Sequence, residues 1–322
     1  MKTILTTTAF ALMASTALAD TITLYTSQPN ADAQQTVDAF KAANPDTDVE
    51  WVRDGTTKLM ARLRAEIEAG NPQPDVLLIA DTVTLEGMAQ EGLLTAYRSP
   101  EAANYDSALY SADGFYHSTK LITTGIVYNT GVETAPTSWN DLSDAALKGQ
   151  VAMPSPLYSG AALIHLATLT GDDSLGWGYY EQLAENDARA QGGNGGTFKA
   201  VASGEKPYGM VVDFLAIRNK AEGSPVEFVF PTEGVSYVTE PVAIMSTAKN
   251  VEGAQKFVDF LLSAEGQDVV LEMGYIPARD GMGVPAGFPA REDIKLMDFD
   301  PATALKDAEA NKAKFTELFG AE

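Results

Sequence analysis

A short run of small and polar residues is suited to holding an anion. Ser159, Gly160 and Ala161 stand at the start of a predicted helix over 161–170. A helix start offers backbone N–H groups and the positive end of the helix dipole, and Ser159 adds a hydroxyl. The same residues would also serve as an ordinary helix N-cap with small side chains for close packing. Asn194, in the glycine-rich turn 193–197, is a second candidate for the same anion, although the turn lacks P-loop and dinucleotide-binding glycine spacing.

Two carboxylates and two aromatic rings are further candidates. Asp213 follows the apolar strand predicted at 208–212, where it would face a cleft and accept from an ammonium or sugar hydroxyls, or cap the helix 214–221. Glu240, before Pro241, is either a second cation-facing carboxylate or a hinge residue exposed to water. Tyr158 and Phe214 could wall the pocket, although an aromatic beside a turn also packs in a core.

Strands and helices alternate along the first part of the chain. Apolar runs predict strands over 21–25, 49–52 and 75–80, and helical patterns predict helices over 32–43 and from 59 onward. Such units build an open α/β sheet, which binds ligands beyond the carboxyl ends of its strands. The polar residues at those ends are Ser27, Gln28, Thr56, Thr57, Asp81 and Thr82.

The first nineteen residues have the pattern of a signal peptide. Lys2 supplies a positive charge, residues 4–18 are uncharged, and Ala17-Leu18-Ala19 has the form of a signal-peptidase site. We therefore predict a signal peptide over 1–19, cleavage after Ala19, and export to the periplasm. The chain contains no cysteine, which excludes a lipidated Cys anchor, disulfides and thiolate metal sites.

Charge and motifs exclude several functions. The formal net charge of -22 argues against nucleic acid or an anionic membrane as partner, but one small site can still be locally positive. The two histidines, His117 and His165, lack metal-ligand spacing, so no metal or cofactor is predicted. The chain has no Gly-x-Ser-x-Gly or His-Glu-x-x-His motif and no Cys nucleophile, which disfavours an enzyme. A periplasmic phosphate-ester hydrolase is the competing class.

Several segments resemble a known family. Residues 74–81, with the sequence PDVLLIAD, together with 249–263 and 274–279, resemble type II periplasmic solute-binding proteins of ABC importers. Residues 156–162 and 209–214 are similar to the branch that contains ferric-ion, hexose-phosphate and 2-aminoethylphosphonate binders. The resemblance implies an α/β, two-lobed fold, each lobe an open mixed sheet flanked by helices, that closes by a hinge.

The resemblance also implies how the chain is divided. Two crossings between lobes are expected near 120–128 and 235–244. Lobe one would comprise 20–122 and 238–280, lobe two 123–237, and the tail 281–322 a helix at 301–319. The implied partners are an inner-membrane ABC permease and its ATPase, with the receptor itself a monomer.

The resemblance bears on the ligand as well. Ferric-ion binders carry adjacent tyrosines where this chain has Asp213 and Phe214. An anion site without that metal site favours an organophosphorus solute, either 2-aminoethylphosphonate or a sugar phosphate. A ferric-ion or polyamine binder of the same fold is the alternative.

Overall fold

The computed structural model describes residues 20–321, which form two mixed sheets flanked by helices. This confirms the predicted fold class. The strands are β1 (Asp20–Thr26), β2 (Thr47–Arg53), β3 (Val76–Leu78), β4 (Leu94–Thr95), β5 (Tyr116–His117), β6 (Lys120–Asn129), β7 (Val151–Met153), β8 (Arg189–Ala190), β9 (Tyr208–Val212), β10 (Val226–Val229), β11 (Ser236–Val238), β12 (Val242–Met245) and β13 (Ile276–Pro277).

Helices cover both faces of the sheets. They are α1 (Asn30–Ala43), α2 (Thr56–Glu68), α3 (Thr82–Gln90), α4 (Gly160–Gly171), α5 (Gly176–Glu185), α6 (Asn194–Ala202), α7 (Asp213–Ala221), α8 (Val251–Leu262), α9 (Ala264–Glu272) and α10 (Pro301–Phe319). None of the helices in the described range 20–321 is long and apolar enough to span a bilayer. The predicted signal peptide and its cleavage site lie outside the described residues.

The first sheet has the strand order β2-β1-β3-β12-β4, with β5 paired to β12. Strands β2 and β3 run parallel to β1, and β12 is antiparallel to β3. Alternate residues face opposite cores: Leu24 packs with Phe40 and Phe257, whereas Tyr25 packs with Leu59 of α2. We call this sheet with its flanking helices lobe one.

The second sheet has the order β10-β6-β9-β7-β8, and β11 and β13 also pair with β6. Eight of the ten residues of β6 are buried, because other strands and helices cover it along most of its length. Trp139 and Tyr180 are buried in the core beside this sheet. We call this sheet with its flanking helices lobe two.

The chain passes between the sheets at two adjacent places, and a third time through α8 and α9 between β12 and β13. The first passage is Ser118 and Thr119, between β5 and β6, and the second is 239–241, between β11 and β12. The backbone N–H groups of Thr119 and Lys120 donate to the Thr239 carbonyl oxygen over 3.1 and 3.2 Å. Strand β6 belongs to the second sheet from Lys120 onward, which is three residues before the predicted start of lobe two. The lobe boundaries given above stay predictions.

The C-terminal helix α10 contacts both lobes. Asp300 caps it through a bond from Ala302 N, and Gly320 ends it at a φ of 86°. Ala304 joins an apolar cluster with Val83 of α3 and Ile164 of α4, and Phe315 packs against Tyr180 of α5. The helix thus covers one end of the junction between the lobes.

Candidate ligand-binding site

A cavity of about 530 Å³ lies between the two lobes, a volume within the range of small-molecule sites. Strand ends and the N-termini of helices surround it. Eight of the residues predicted from the sequence line this cavity: Ser27, Thr56, Tyr158, Ser159, Ala161, Asn194, Phe214 and Glu240.

Two cationic side chains that sequence reasoning missed also line the cavity. Arg53 ends β2 in lobe one, and its Nε donates to the Gln28 carbonyl oxygen over 2.8 Å. Lys199 lies in α6 of lobe two, and its side chain is exposed. The rule that ligands bind beyond strand ends pointed to the neighbourhood of Arg53, whereas no local signal marked Lys199. The cavity therefore has one cation on each side.

A hydrogen-bond network organises the helix starts of lobe two. Ser159 Oγ accepts from Ala162 N and from Asn194 Nδ2, both over 3.3 Å. Asn194 Oδ1 accepts from Val212 N, directly before α7, over 3.1 Å. Because a hydroxyl oxygen has two lone pairs and both are engaged, the Ser159 hydroxyl can interact with a ligand only as a donor. Ser159 is thus both the N-cap of α4 and a donor oriented by its neighbours.

Glycines allow the two lobes to approach closely. A Cβ on Gly55 of lobe one would lie 2.5 Å from both the carbonyl oxygen and Cε1 of Tyr158 in lobe two. A Cβ on Gly160 would lie 2.6 Å from the Ala80 carbonyl oxygen and 2.9 Å from Thr56 Cβ. Thr57 adds direct bonds between the lobes, because its N donates to the Tyr158 carbonyl over 3.2 Å and its Oγ1 to the Pro156 carbonyl. Gly160 therefore permits the close approach of the lobes, and Thr57 links them by hydrogen bonds. Neither residue lines the cavity.

Asp213 lies at the first position of α7 but outside the cavity lining. Its Oδ2 accepts from Thr123 N and Thr123 Oγ1 over 2.8 and 2.7 Å, and its Oδ1 accepts from Phe214 N. Burial raises the pKa of this carboxyl to about 7, and the bonds from Thr123 oppose the rise. The prediction that the Asp213 carboxylate faces the cleft is wrong, because its side chain points toward Thr123 of β6. The residue immediately before α7 is Val212, so Asp213 is not the N-cap either.

Glu240 lines the cavity and is 3% exposed, which excludes the reading as a hinge residue open to water. Its Oε2 lies 2.6 Å from Nζ of Lys120, which is equally buried. Burial raises the pKa of Glu240, and the neighbouring ammonium opposes that rise. Its φ of 39° is unusual for a residue with a side chain and occurs in the second passage between the lobes. The carboxylate already has a cationic partner within the protein.

The remaining predicted residues form hydrogen bonds within the protein and do not line the cavity. Gln28 is buried, and its Nε2 donates to Thr36 Oγ1 over 3.4 Å. Asp81 is the N-cap of α3, accepting from Thr84 N over 3.0 Å, and burial raises its pKa. Thr82 Oγ1 lies 3.4 Å from Thr239 Oγ1 in the second passage. Gln28, Asp81 and Thr82 are absent from the cavity lining.

The two histidines are buried in separate places. His117 lies in strand β5, and its Nε2 is 2.8 Å from the Tyr97 carbonyl oxygen. His165 of α4 packs on Trp139, and burial lowers its pKa to about 3. Within residues 20–321, no cluster of three or more His, Cys, Asp or Glu side chains could hold a metal ion.

The family model described as bacterial extracellular solute-binding protein matches residues 35–295. The chain belongs to this family. The putative 2-aminoethylphosphonate-binding periplasmic protein of Salmonella typhimurium is 28% identical over 282 residues, 83% of this chain and 77% of that protein. Iron uptake protein A1 of Synechocystis is 27% identical over 246 residues, 70% of this chain and 67% of that protein.

Solved structures of solute-binding proteins share the fold. The periplasmic binding protein AfuA from Actinobacillus pleuropneumoniae, bound to fructose-6-phosphate, aligns with a TM-score of 0.85 and 24% identity over 94% of this chain and 99% of its own. Iron-bound HitA from Pseudomonas aeruginosa aligns with a TM-score of 0.80 and 23% identity over 92% and 99% of the two chains. The chain is therefore a periplasmic solute-binding protein of an ABC importer, and its relatives differ in ligand.

Proposed function

We propose that this solute-binding protein captures a small organophosphorus anion in the cavity between its lobes and presents the closed form to an ABC permease and its ATPase. Binding is non-covalent, and the protein performs no reaction on the solute. The hinge consists of the two hydrogen-bonded passages at Thr119 and Thr239, since these link the sheets.

The observation that carries the proposal is the convergence of helix N-termini on one cavity. The starts of α2, α4 and α6 line it through Thr56, Ser159 and Asn194. Helix starts carry N–H groups without intrahelical acceptors and a partial positive charge, which favour a phosphoryl group. The glycines before and within the start of α6, Gly193 and Gly195, allow a ligand to reach the backbone.

The charges of the cavity favour a ligand that carries one doubly negative group and is otherwise uncharged. Arg53 and Lys199 contribute two positive charges, and no carboxylate in the described part of the chain forms an ion pair with either. Glu240, the one carboxylate among the described lining residues, is neutralised by Lys120. A phosphate monoester carries nearly two negative charges at neutral pH. Two cations around such a group would balance its charge.

The same charges distinguish the two organophosphorus ligands predicted from the sequence. The ammonium of 2-aminoethylphosphonate is bound most strongly by a carboxylate, and both candidate carboxylates already have partners within the protein, which leaves only aromatic faces for the ammonium. A sugar phosphate needs only hydroxyl partners and an apolar surface for its ring. Ser27 and Thr56 supply the first, and Tyr158 with Phe214 the second. We therefore favour the phosphate ester of a neutral polyol.

Calorimetry with a matched ligand set tests this function. The wild-type protein is titrated with glucose 6-phosphate, glucose, 2-aminoethylphosphonate, ferric citrate and putrescine. We expect stoichiometric binding of glucose 6-phosphate, weaker binding of the phosphonate and none of glucose, with no phosphate released on prolonged incubation. If the protein bound putrescine or ferric citrate but neither organophosphorus compound, the proposed function would be contradicted. Release of phosphate would favour a hydrolase.

A further inference from the structure

Four buried or half-buried charges lie close to Phe214 and Tyr275, two rings of the cavity lining that we call the aromatic wall. They are Asp32 and Glu240, which are acidic, and Lys120 and Arg218, which are basic. Asp32 lies in the first turn of α1 in lobe one, and Arg218 lies in α7 of lobe two. Their ion pair therefore joins the two lobes directly.

Asp32 has an unusually complete set of partners for a buried carboxylate. Its Oδ1 and Oδ2 accept from the two terminal nitrogens of Arg218 over 2.9 and 3.2 Å, and Oδ2 also accepts from the Tyr275 hydroxyl. The Asp32 side chain is 4% exposed and the Arg218 side chain 29%. The paired contacts fix the guanidinium plane, as bidentate arginine–carboxylate pairs do.

Arg218 in turn stacks against two rings that line the cavity. Its Cζ lies 5.0 Å from the centroid of Phe214 and 5.7 Å from that of Tyr275. The two ring centroids are 4.3 Å apart, and Lys120 Nζ lies 4.3 Å from the centroid of Tyr275. Phe214 belongs to lobe two, and Tyr275 lies between α9, which packs on α1 of lobe one, and β13, which pairs with β6 of lobe two. The two rings therefore lie where the two lobes meet.

We propose that Asp32 is a positioning residue. It binds Arg218 of the other lobe and the Tyr275 hydroxyl, and it thereby sets the fraction of receptor molecules that are closed before any solute binds. The proposal rests on the receptor function given above but not on the identity of the solute. Asp32 is itself absent from the cavity lining and acts through its two partners.

The energetic reason is the burial of charge in the closed arrangement. When the lobes separate, Asp32 and Arg218 each regain water. If Asp32 is neutralised, the closed form leaves the guanidinium near Tyr275 without a counter-ion, which is costly, whereas the open form loses little. Neutralisation should therefore shift the population toward the open form. The apparent affinity falls in proportion to the fraction of binding-competent receptor.

The exposed pair Lys220 and Glu227 provides a matched control. It lies in the same region of lobe two, with Lys220 in α7 and Glu227 in β10, and its atoms are 2.6 Å apart. Both partners belong to one lobe and their side chains are 50% and 35% exposed, so the pair contributes little to closure of the lobes. Lys220→Gln should leave closure unchanged.

The experiment measures the distance between the lobes with and without solute. The chain has no native cysteine, so Glu68→Cys on α2 and Asp173→Cys after α4, both exposed positions, accept spin labels specifically. Pulsed electron resonance is recorded on Asp32→Asn, Arg218→Gln, the double variant and Lys220→Gln. Circular dichroism melting curves check that each variant is folded, and either single variant suffices if the other does not fold.

We expect both single variants to lengthen the distance distribution in the absence of solute, while Lys220→Gln matches the wild type. The double variant should open no further than the single variants, because both remove the same interaction. Affinity for a solute that the wild type binds should fall about tenfold, mainly through faster dissociation. An unchanged distribution without solute, or additive effects in the double variant, would overturn the proposal. Failure of the wild type to bind phosphate esters would instead count against the proposed solute only.

Discussion

Asn194 Nδ2 donates to Ser159 Oγ over 3.3 Å, while Oδ1 of the same amide accepts from Val212 N over 3.1 Å. One side chain at the start of α6 thus connects the starts of α4 and α7. Since each helix start carries a partial positive charge, Asn194 holds together the positive groups that surround the proposed phosphoryl site.

Replacement of Asn194 tests this organising role. Asn194→Ala removes both hydrogen bonds and should weaken binding of glucose 6-phosphate by about tenfold. Asn194→Asp keeps the shape but places a negative charge beside the anion, so the loss should exceed that of the alanine variant. Calorimetry gives both affinities. Equal affinities for the two variants would show that no anion lies near this position.

Gly55→Ala should weaken solute binding without affecting the fold of either lobe. The φ of Gly55 is -59°, which alanine adopts readily, and the three heavy atoms nearest to the added Cβ, at 2.5–2.7 Å, all belong to Tyr158 of the other lobe. Closure would have to stop short, and we expect an affinity loss of about tenfold or more. Gly178→Ala, on α5 with no heavy atom within 4 Å of the added Cβ, is the control. Calorimetry and melting curves together decide, and unchanged affinity would argue against the contact between Gly55 and Tyr158.

The two cationic side chains of the cavity, Arg53 and Lys199, should contribute to ligand affinity through their charge. Arg53→Gln and Lys199→Gln are each expected to reduce affinity for glucose 6-phosphate several-fold, with a larger loss at low ionic strength because salt screens the attraction. Lys58→Gln, on the exposed face of α2, should have no effect. Titrations at two salt concentrations measure this. A salt-independent affinity that neither cavity variant changes would contradict the charge assignment.

Asp213 predicts a pH dependence of stability. Its pKa is raised from 3.8 to about 7, so the folded protein retains a proton that the unfolded chain has lost. The stability from this group is present below pH 3.8 and is lost as the pH rises to about 7. Between about pH 5 and pH 8 the wild type should therefore lose roughly 2–3 kcal/mol more than Asp213→Asn, as measured by urea unfolding. The same pH dependence in both proteins would show that Asp213 titrates normally.

Local signals accounted for much of the fold. The predicted helix 301–319 has the bounds of α10, because Asp300 caps its start, proline at its first position restricts the backbone, and Gly320 ends it. Strand β9 also has the predicted bounds 208–212, since a run of five buried residues leaves no ambiguity of face. Parallel pairing of β1 with β2 and β3 agrees with the strand–helix alternation.

At the site, the sequence could not predict side-chain orientations and partners that depend on contacts between distant parts of the chain. Whether Asp213 faces the cavity depends on the register of β6 against β9, which brings Thr123 beside it from 90 residues away. The partner of Glu240 is likewise fixed by the meeting of the two passages, which places Lys120 against it. In contrast, Ser159 could be found because its role at a helix start is determined by its immediate neighbours.

Calorimetry of Ser159→Ala against glucose 6-phosphate tests the central claim most directly. The variant removes the hydrogen bond from Ser159 to the charged group of the ligand, worth roughly 1.5–3 kcal/mol. It also removes the side-chain cap of α4, and a melting curve of the variant measures that loss separately. Ser174→Ala, in an exposed loop of the same lobe, is the control. We predict an affinity loss of about 10- to 100-fold for Ser159→Ala and none for the control. Tight binding of ferric ion or putrescine that is unaffected by Ser159→Ala would contradict the account of an organophosphorus receptor.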